Sequence, residues 1–161
     1  MTISIYLNTL KHLKPIQIRY RLLYILRKRW RRFTGFSYSK SVERNGRLLS
    51  FEPFIDRPES HKGGEFIFLN LSHSFTDSID WNYLGHGKLW AYNLNYFDYL
   101  HQPSITKEEG LKLINDFIDQ TDKNREGMEP YPISLRGINW IKFLVKHKIT
   151  DMRIDAALYA Q

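Results

Sequence analysis

The most sustained helical periodicity lies near the start of the chain. Pro15 suits the first position of a helix, where its missing N–H costs nothing. Ile16, Tyr20, Leu23, Leu26, Trp30 and Phe33 then recur at spacings of three and four along one stripe. Arg21, Lys28 and Arg32 occupy much of the opposite side, and the helix is predicted to end before Gly35. Between Ser37 and Lys88 the helical period disappears. Residues 47–51 and 65–69 read as short strands among loops marked by Pro53, Pro58, Gly63 and Gly64. After Gly87 helices return. Residues 89–101 form an aromatic, Asn-rich helical stretch. Thr106 is a strong N-cap, because Glu109 three positions on can close a capping box, and Leu111, Ile114, Phe117 and Ile118 give that helix its buried stripe. Pro132 opens a third helix running to about His147, and Asp151 starts a fourth.

The pattern predicts a mainly α chain in three stretches: a basic amphipathic helix or arm over 1–42, an irregular linker with short strands over 43–88, and the first helices of a larger helical architecture over 89–161. The last helix is still in progress at Gln161, with no Gly, Pro or polar tail behind it. That reads as a fragment of a longer protein.

Charge sharpens the first stretch. The net charge of +7 is uneven: residues 1–40 hold ten Lys and Arg and no acid, whereas the remaining 121 residues carry 14 basic and 17 acidic groups, a net of −3. The basic character therefore belongs to the arm, and nucleic-acid binding by the body is not favoured. For the arm, two readings stand: a helix packed on the body with a solvated basic face, which is favoured, or a surface that binds membrane or nucleic acid. No apolar run is long enough to span a bilayer. The first ten residues lack the basic start and cleavage site of a signal peptide, which leaves the compartment open with the cytoplasm as default.

With no Cys, disulfides, thiol nucleophiles and Cys-ligated metals are excluded. The six His residues show no metal-ligand spacing, and no phosphate-binding loop or nucleophile elbow is present, so neither metal nor cofactor is expected. Aromatics are abundant, with 10 Tyr, 10 Phe and 4 Trp in 161 residues. Two segments combine them with amides and a cation. In Leu-Trp-Ala-Tyr-Asn-Leu-Asn-Tyr-Phe-Asp-Tyr-Leu (89–100), Asn93 and Asn95 are indifferent helix formers. Amides that pair with hydroxyls beside flat aromatic faces suit a sugar; the alternative is that these Asn residues bond to neighbouring loops. In Glu-Pro-Tyr-Pro-Ile-Ser-Leu-Arg-Gly-Ile-Asn-Trp-Ile-Lys-Phe-Leu (129–144), Leu135, Ile138, Ile141 and Val145 form an apolar arc that is expected to face the core. Arg136, Asn139, Trp140 and Phe143 form a second arc, expected to face something polar. Arg136 suits a carboxylate because its planar fork binds both oxygens. Mid-helix Gly137 suggests close approach of another backbone or a ligand. An internal ion pair for Arg136 and a packed Trp140 is the alternative.

These two segments, with the closing Asp-Met-Arg-Ile-Asp-Ala-Ala-Leu-Tyr-Ala-Gln (151–161) and the opening Thr-Leu-Lys-His-Leu-Lys-Pro-Ile-Gln-Ile-Arg-Tyr-Arg-Leu (9–22), resemble the N-terminal part of the heparinase II/III family of polysaccharide lyases. The likeness is greatest to the bacterial branch often associated with capsule or O-antigen gene clusters. It implies a truncated (α/α) toroid of helical hairpins, followed by further toroid helices and a β-sandwich, acting by β-elimination on uronate-containing polysaccharide. In such a protein Asn95, Tyr96, Tyr131, Arg136, Asn139 and Trp140, drawn from the two aromatic segments, are the candidates for a substrate-cleft wall. The family's Gly-Asn-His motif, catalytic Tyr and further His match no position here. Removal of the C5 proton needs a base and a partner for the developing enolate, so the chain alone is expected to be catalytically silent. The alternative function is a non-catalytic module that binds a membrane surface or nucleic acid through the basic helix.

Overall fold

The computed structural model describes residues 13–36, 50 and 54–161. The predicted strand at 47–51 lies outside them except for Ser50, which is in no strand. The chain divides into two units between Ser39 and Lys40.

The first unit contains helix α1, Pro15–Phe33. Pro15 holds the first helical position as expected, and Lys14 and Gln17 cap the start reciprocally. No residue of α1 is buried. The residues of its apolar stripe are exposed, Trp30 by 67%.

The second unit is mainly helical with one small antiparallel sheet. Its elements are β1 (His61–Lys62), β2 (Glu65–Phe68), β3 (Leu71–Ser74), α2 (Lys88–Tyr96), a 3-10 turn at Asp98–His101, α3 (Lys107–Asp119), α4 (Pro130–Lys146) and α5 (Met152–Ala160). The strands are joined by two-residue turns. Gly63 and Gly64 link Lys62 to its partner Glu65, and Leu69 and Asn70 link Phe68 to its partner Leu71. All four turn residues have positive φ, the conformation that matches the twist of a tight hairpin. Residues 65–69 carry a strand signal that β2 meets, whereas β1 and β3 give none, because two- and four-residue strands carry too little alternation to register.

Strand β2 turns Phe66 and Phe68 into the core and leaves Ile67 outside. Phe66 meets Tyr99 edge-on at 5.2 Å and Phe68 meets Trp90 at 5.1 Å, which seats the sheet on α2 and the 3-10 turn. Gln102 fastens β1: its Oε1 accepts from the N–H groups of Ser60 and His61, and its Nε2 donates to the His61 carbonyl. The core continues through Trp81, Leu94, Phe97, Phe117, Trp140, Phe143 and Ile154. Three buried rings also satisfy their polar tips: Trp81 donates to Asp116 Oδ2, Trp90 to the Leu71 carbonyl and Tyr99 to the Leu94 carbonyl.

Helix α4 starts at Pro130, two residues before the predicted Pro132, whereas α3 and α5 start where their N-caps place them. Thr106 Oγ1 accepts from Glu109 N–H at 3.1 Å, and the Asp151 carboxylate accepts from the N–H groups of Arg153 and Ile154. The aromatic helix is shorter than predicted. It stops at Tyr96 because Phe97 adopts φ 61°, and the chain re-enters a 3-10 turn. A left-handed Phe is strained, but its ring is fully buried, stacked on Trp81 at 5.0 Å and edge-on to Trp140 at 5.4 Å.

Helix α4 corrects the largest expectation. Its buried face is the arc of Arg136, Asn139, Trp140 and Phe143, whereas Ile138 is 49% exposed and Ile141 is also exposed. The periodicity defines both arcs, and the structure reverses which of them faces inward. Gly137 likewise marks no close approach, since a Cβ there would meet nothing within 4 Å. The close approach falls at Gly110 of α3, where a Cβ would stand 2.2 Å from the Phe143 ring.

Candidate functional site

The six residues expected in a cleft wall separate into two groups. Asn95, Arg136, Asn139 and Trp140 are buried and engaged with the protein itself. Because α2 ends at Tyr96, its last carbonyls lack partners within the helix. Arg136 Nη1 donates to the carbonyls of Asn95 (3.3 Å) and Gly127 (3.1 Å), and Asn139 Nδ2 donates to the Tyr96 carbonyl (2.8 Å) and to Asp98 Oδ1 (2.7 Å). Helix α4 thus supplies a side-chain cap for the C-terminus of α2. The negative end of a helix is a favourable place for a cation, which explains a buried Arg whose hydrogen bonds run to carbonyls. Arg136 Nε also donates to Gln161 Oε1 at 2.7 Å, and its guanidinium lies 4.4 Å from the centre of the Phe117 ring. Burial pulls the Arg136 pKa down to about 10. Asn95 Nδ2 bonds to the carbonyls of Trp81 and Ala91, and Trp140 packs against Phe97 and Phe117. As arranged, none of these four presents itself to a ligand.

The second group is Tyr96 and Tyr131, and it has neighbours that the sequence reading did not single out. Lys88, Tyr92 and Tyr96 lie at i, i+4 and i+8 along α2, so they share one stripe. Glu129, the N-cap residue of α4, and Tyr131 approach that stripe from the other helix. Lys88 Nζ lies 2.7 Å from Glu129 Oε1 and 5.4 Å from the centre of the Tyr92 ring, and Tyr92 Oη donates to Glu129 Oε1 at 2.9 Å. Tyr96 stands 6.2 Å from Tyr92 and 5.9 Å, edge-on, from Tyr131. Tyr131 is 65% exposed, while Tyr96 is buried at the base. The hydrogen bond to Glu129 pushes the Lys88 pKa up, and the bond from Lys88 pulls the Glu129 carboxyl down, so both are charged at neutral pH. Burial raises the Tyr96 phenol. The arrangement offers an aromatic face with an oriented ammonium beside it. The i, i+4 spacing was available in the sequence; the approach of Glu129 and Tyr131 was not.

Three histidines of this unit share one electrostatic feature. Burial lowers the pKa of His61, His101 and His147, against Glu109 beside His61 and with Lys142 and Lys146 near the other two. The unfolded chain takes up protons near 6.5, the folded protein only at lower pH. Acid therefore protonates the unfolded state first, and the stability held above that pH is lost as the pH falls below it. The melting temperature is expected to drop between about pH 7 and pH 5, and His101→Gln to flatten part of the slope. Scanning calorimetry across that range checks both; a flat profile would refute the burial.

Comparison with known proteins gives no match: no protein-family model, no curated protein and no solved structure matches the chain.

Proposed function

We propose that the chain is the N-terminal portion of a heparinase II/III-like polysaccharide lyase, in which the second unit begins an (α/α) toroid and contributes one wall of a cleft for a uronate-containing polysaccharide. The observation that carries this reading is the exposed Tyr131 set against Tyr96 and Tyr92, with Lys88 fixed by Glu129 alongside. A tyrosine face covers the apolar side of a pyranose, and its hydroxyl end tolerates the wet rim. The half-exposed ammonium of Lys88 supplies the charge for a sugar carboxylate. Arg136, which the sequence suggested for that role, belongs instead to the frame beneath the wall, together with Asn95, Asn139 and Trp140. The elimination itself needs a base and a partner for the enolate; the wall's part in it is to bind and orient the sugar.

Calorimetric titration of the protein with an acidic and a neutral oligosaccharide of equal length tests the reading. The acidic ligand is expected to bind more tightly, with an affinity that weakens on adding salt. Lys88→Gln should remove most of that preference and leave the neutral ligand unchanged. Equal binding of both ligands by the unaltered protein would overturn the assignment.

A further inference from the structure

Helix α1 is the feature that the cleft does not use. It holds seven basic residues (Arg19, Arg21, Arg27, Lys28, Arg29, Arg31 and Arg32) and no acid over its 19 positions, and none of its side chains is buried. Successive residues turn by 100°, so Ile16, Tyr20, Leu22, Leu23, Leu26, Trp30 and Phe33 fall within one broad arc that also holds Arg19 and Arg27; Arg29 and Arg31 flank it, and Arg21, Lys28 and Arg32 gather opposite, beside Ile25. All of these apolar residues are exposed.

The chemistry of the two sides narrows the occupant. A nucleic acid answers the cations through its phosphates, but it leaves seven apolar side chains in water. A protein groove covers the apolar arc, but it must then supply carboxylates for a helix with no acid of its own. An anionic bilayer surface answers both, because Arg19 and Arg27 lie within the apolar arc and Arg29 and Arg31 at its edges, where long side chains reach the headgroups. The headgroup–acyl boundary takes Leu, Trp and Phe, and lipid phosphates and carboxylates take Arg and Lys, with the guanidinium fork suited to phosphate. Trp30 and Tyr20 have the amphipathic rings that settle at that boundary. The helix lies in the plane of the surface and does not cross it: no helix among the described residues is long and apolar enough to span a membrane. We propose that α1 is an interfacial helix that docks this protein on an anionic membrane surface.

The test is co-sedimentation of the whole protein with vesicles of phosphatidylcholine alone and of phosphatidylcholine with about 30% phosphatidylserine, with thermal unfolding of each variant measured in parallel. Binding is expected only to the anionic vesicles and should weaken with salt. Replacing Arg19, Arg27 and Arg29 together with Gln should lower the affinity roughly 100-fold. Trp30→Ala should also weaken it and leave the melting temperature unchanged, because Trp30 is not buried. Equal binding to both vesicle types would overturn the proposal. So would a fall in melting temperature for Trp30→Ala without vesicle binding, which makes α1 a packed helix. Binding of duplex DNA that depends on the three cations but not on Trp30, with no vesicle binding, would assign α1 to nucleic acid and overturn it as well.

Discussion

Arg136→Lys is expected to destabilise the protein by about 3 kcal/mol, more than the neutral replacement Arg136→Met. The guanidinium reaches the Asn95 and Gly127 carbonyls and Gln161 from one buried position, with its flat face on Phe117. An ammonium keeps the charge in the same buried place, is more strongly hydrated, and cannot spread its donors over those acceptors. The Lys variant therefore pays for burying a charge it satisfies poorly. Methionine leaves two carbonyls unpartnered, at about 1–3 kcal/mol for such groups, and is relieved of the buried charge. In a chain of this size the Lys variant should melt roughly 6–12 °C lower, with the Met variant between it and the unaltered protein. If both variants unfold at the wild-type temperature, Arg136 is not the cap of α2. If Met is the worse of the two, the charge contributes more than its desolvation costs.

Trp140→Ala should cost about 4 kcal/mol, the range of a large aromatic removed from a core. The indole is fully buried and edge-on to Phe97 at 5.4 Å and to Phe117 at 5.8 Å. Trp140→Phe should cost far less, under about 1.5 kcal/mol, because the ring contacts survive in part and the indole N–H has no hydrogen-bond partner to lose. Chemical denaturation of the two variants separates the cases. A ring that faced a sugar cleft would show the opposite pattern, with little loss of stability from Ala.

These two residues also mark where sequence reasoning stopped. Helix starts were legible because their signals are local: Pro15 at the head of α1, Thr106 and its acceptance from Glu109, Asp151 and its acceptance from Ile154. The two arcs of α4 were legible too, since period alone defines them. Which arc faces inward was not. By composition, Leu135, Ile138, Ile141 and Val145 make the better core face. The structure buries the other because the donors of Arg136 and Asn139 find the C-terminal carbonyls of α2, and those are free only because Phe97 breaks that helix in the left-handed region. That chain of causes runs through residues some forty positions apart. Local pattern carries no trace of it.

The tyrosine wall was half legible for the same reason. Tyr96 and Tyr131 were singled out by type, and the spacing of Lys88, Tyr92 and Tyr96 lay open in the sequence. Glu129 becomes the anchor of Lys88 only when the N-terminus of α4 is brought to the side of α2.

The central claim is a division of labour, in which the Tyr131 surface meets the sugar and the Arg136 frame holds it up. Titration of an acidic oligosaccharide into Tyr131→Ala and Arg136→Lys, both below their melting range, tests it directly. The account predicts that Tyr131→Ala loses roughly tenfold in affinity at unchanged stability, since an aromatic contact of this kind is worth about 1 kcal/mol or more, whereas folded Arg136→Lys binds as the unaltered protein does. Full affinity in Tyr131→Ala together with a loss in folded Arg136→Lys would contradict it.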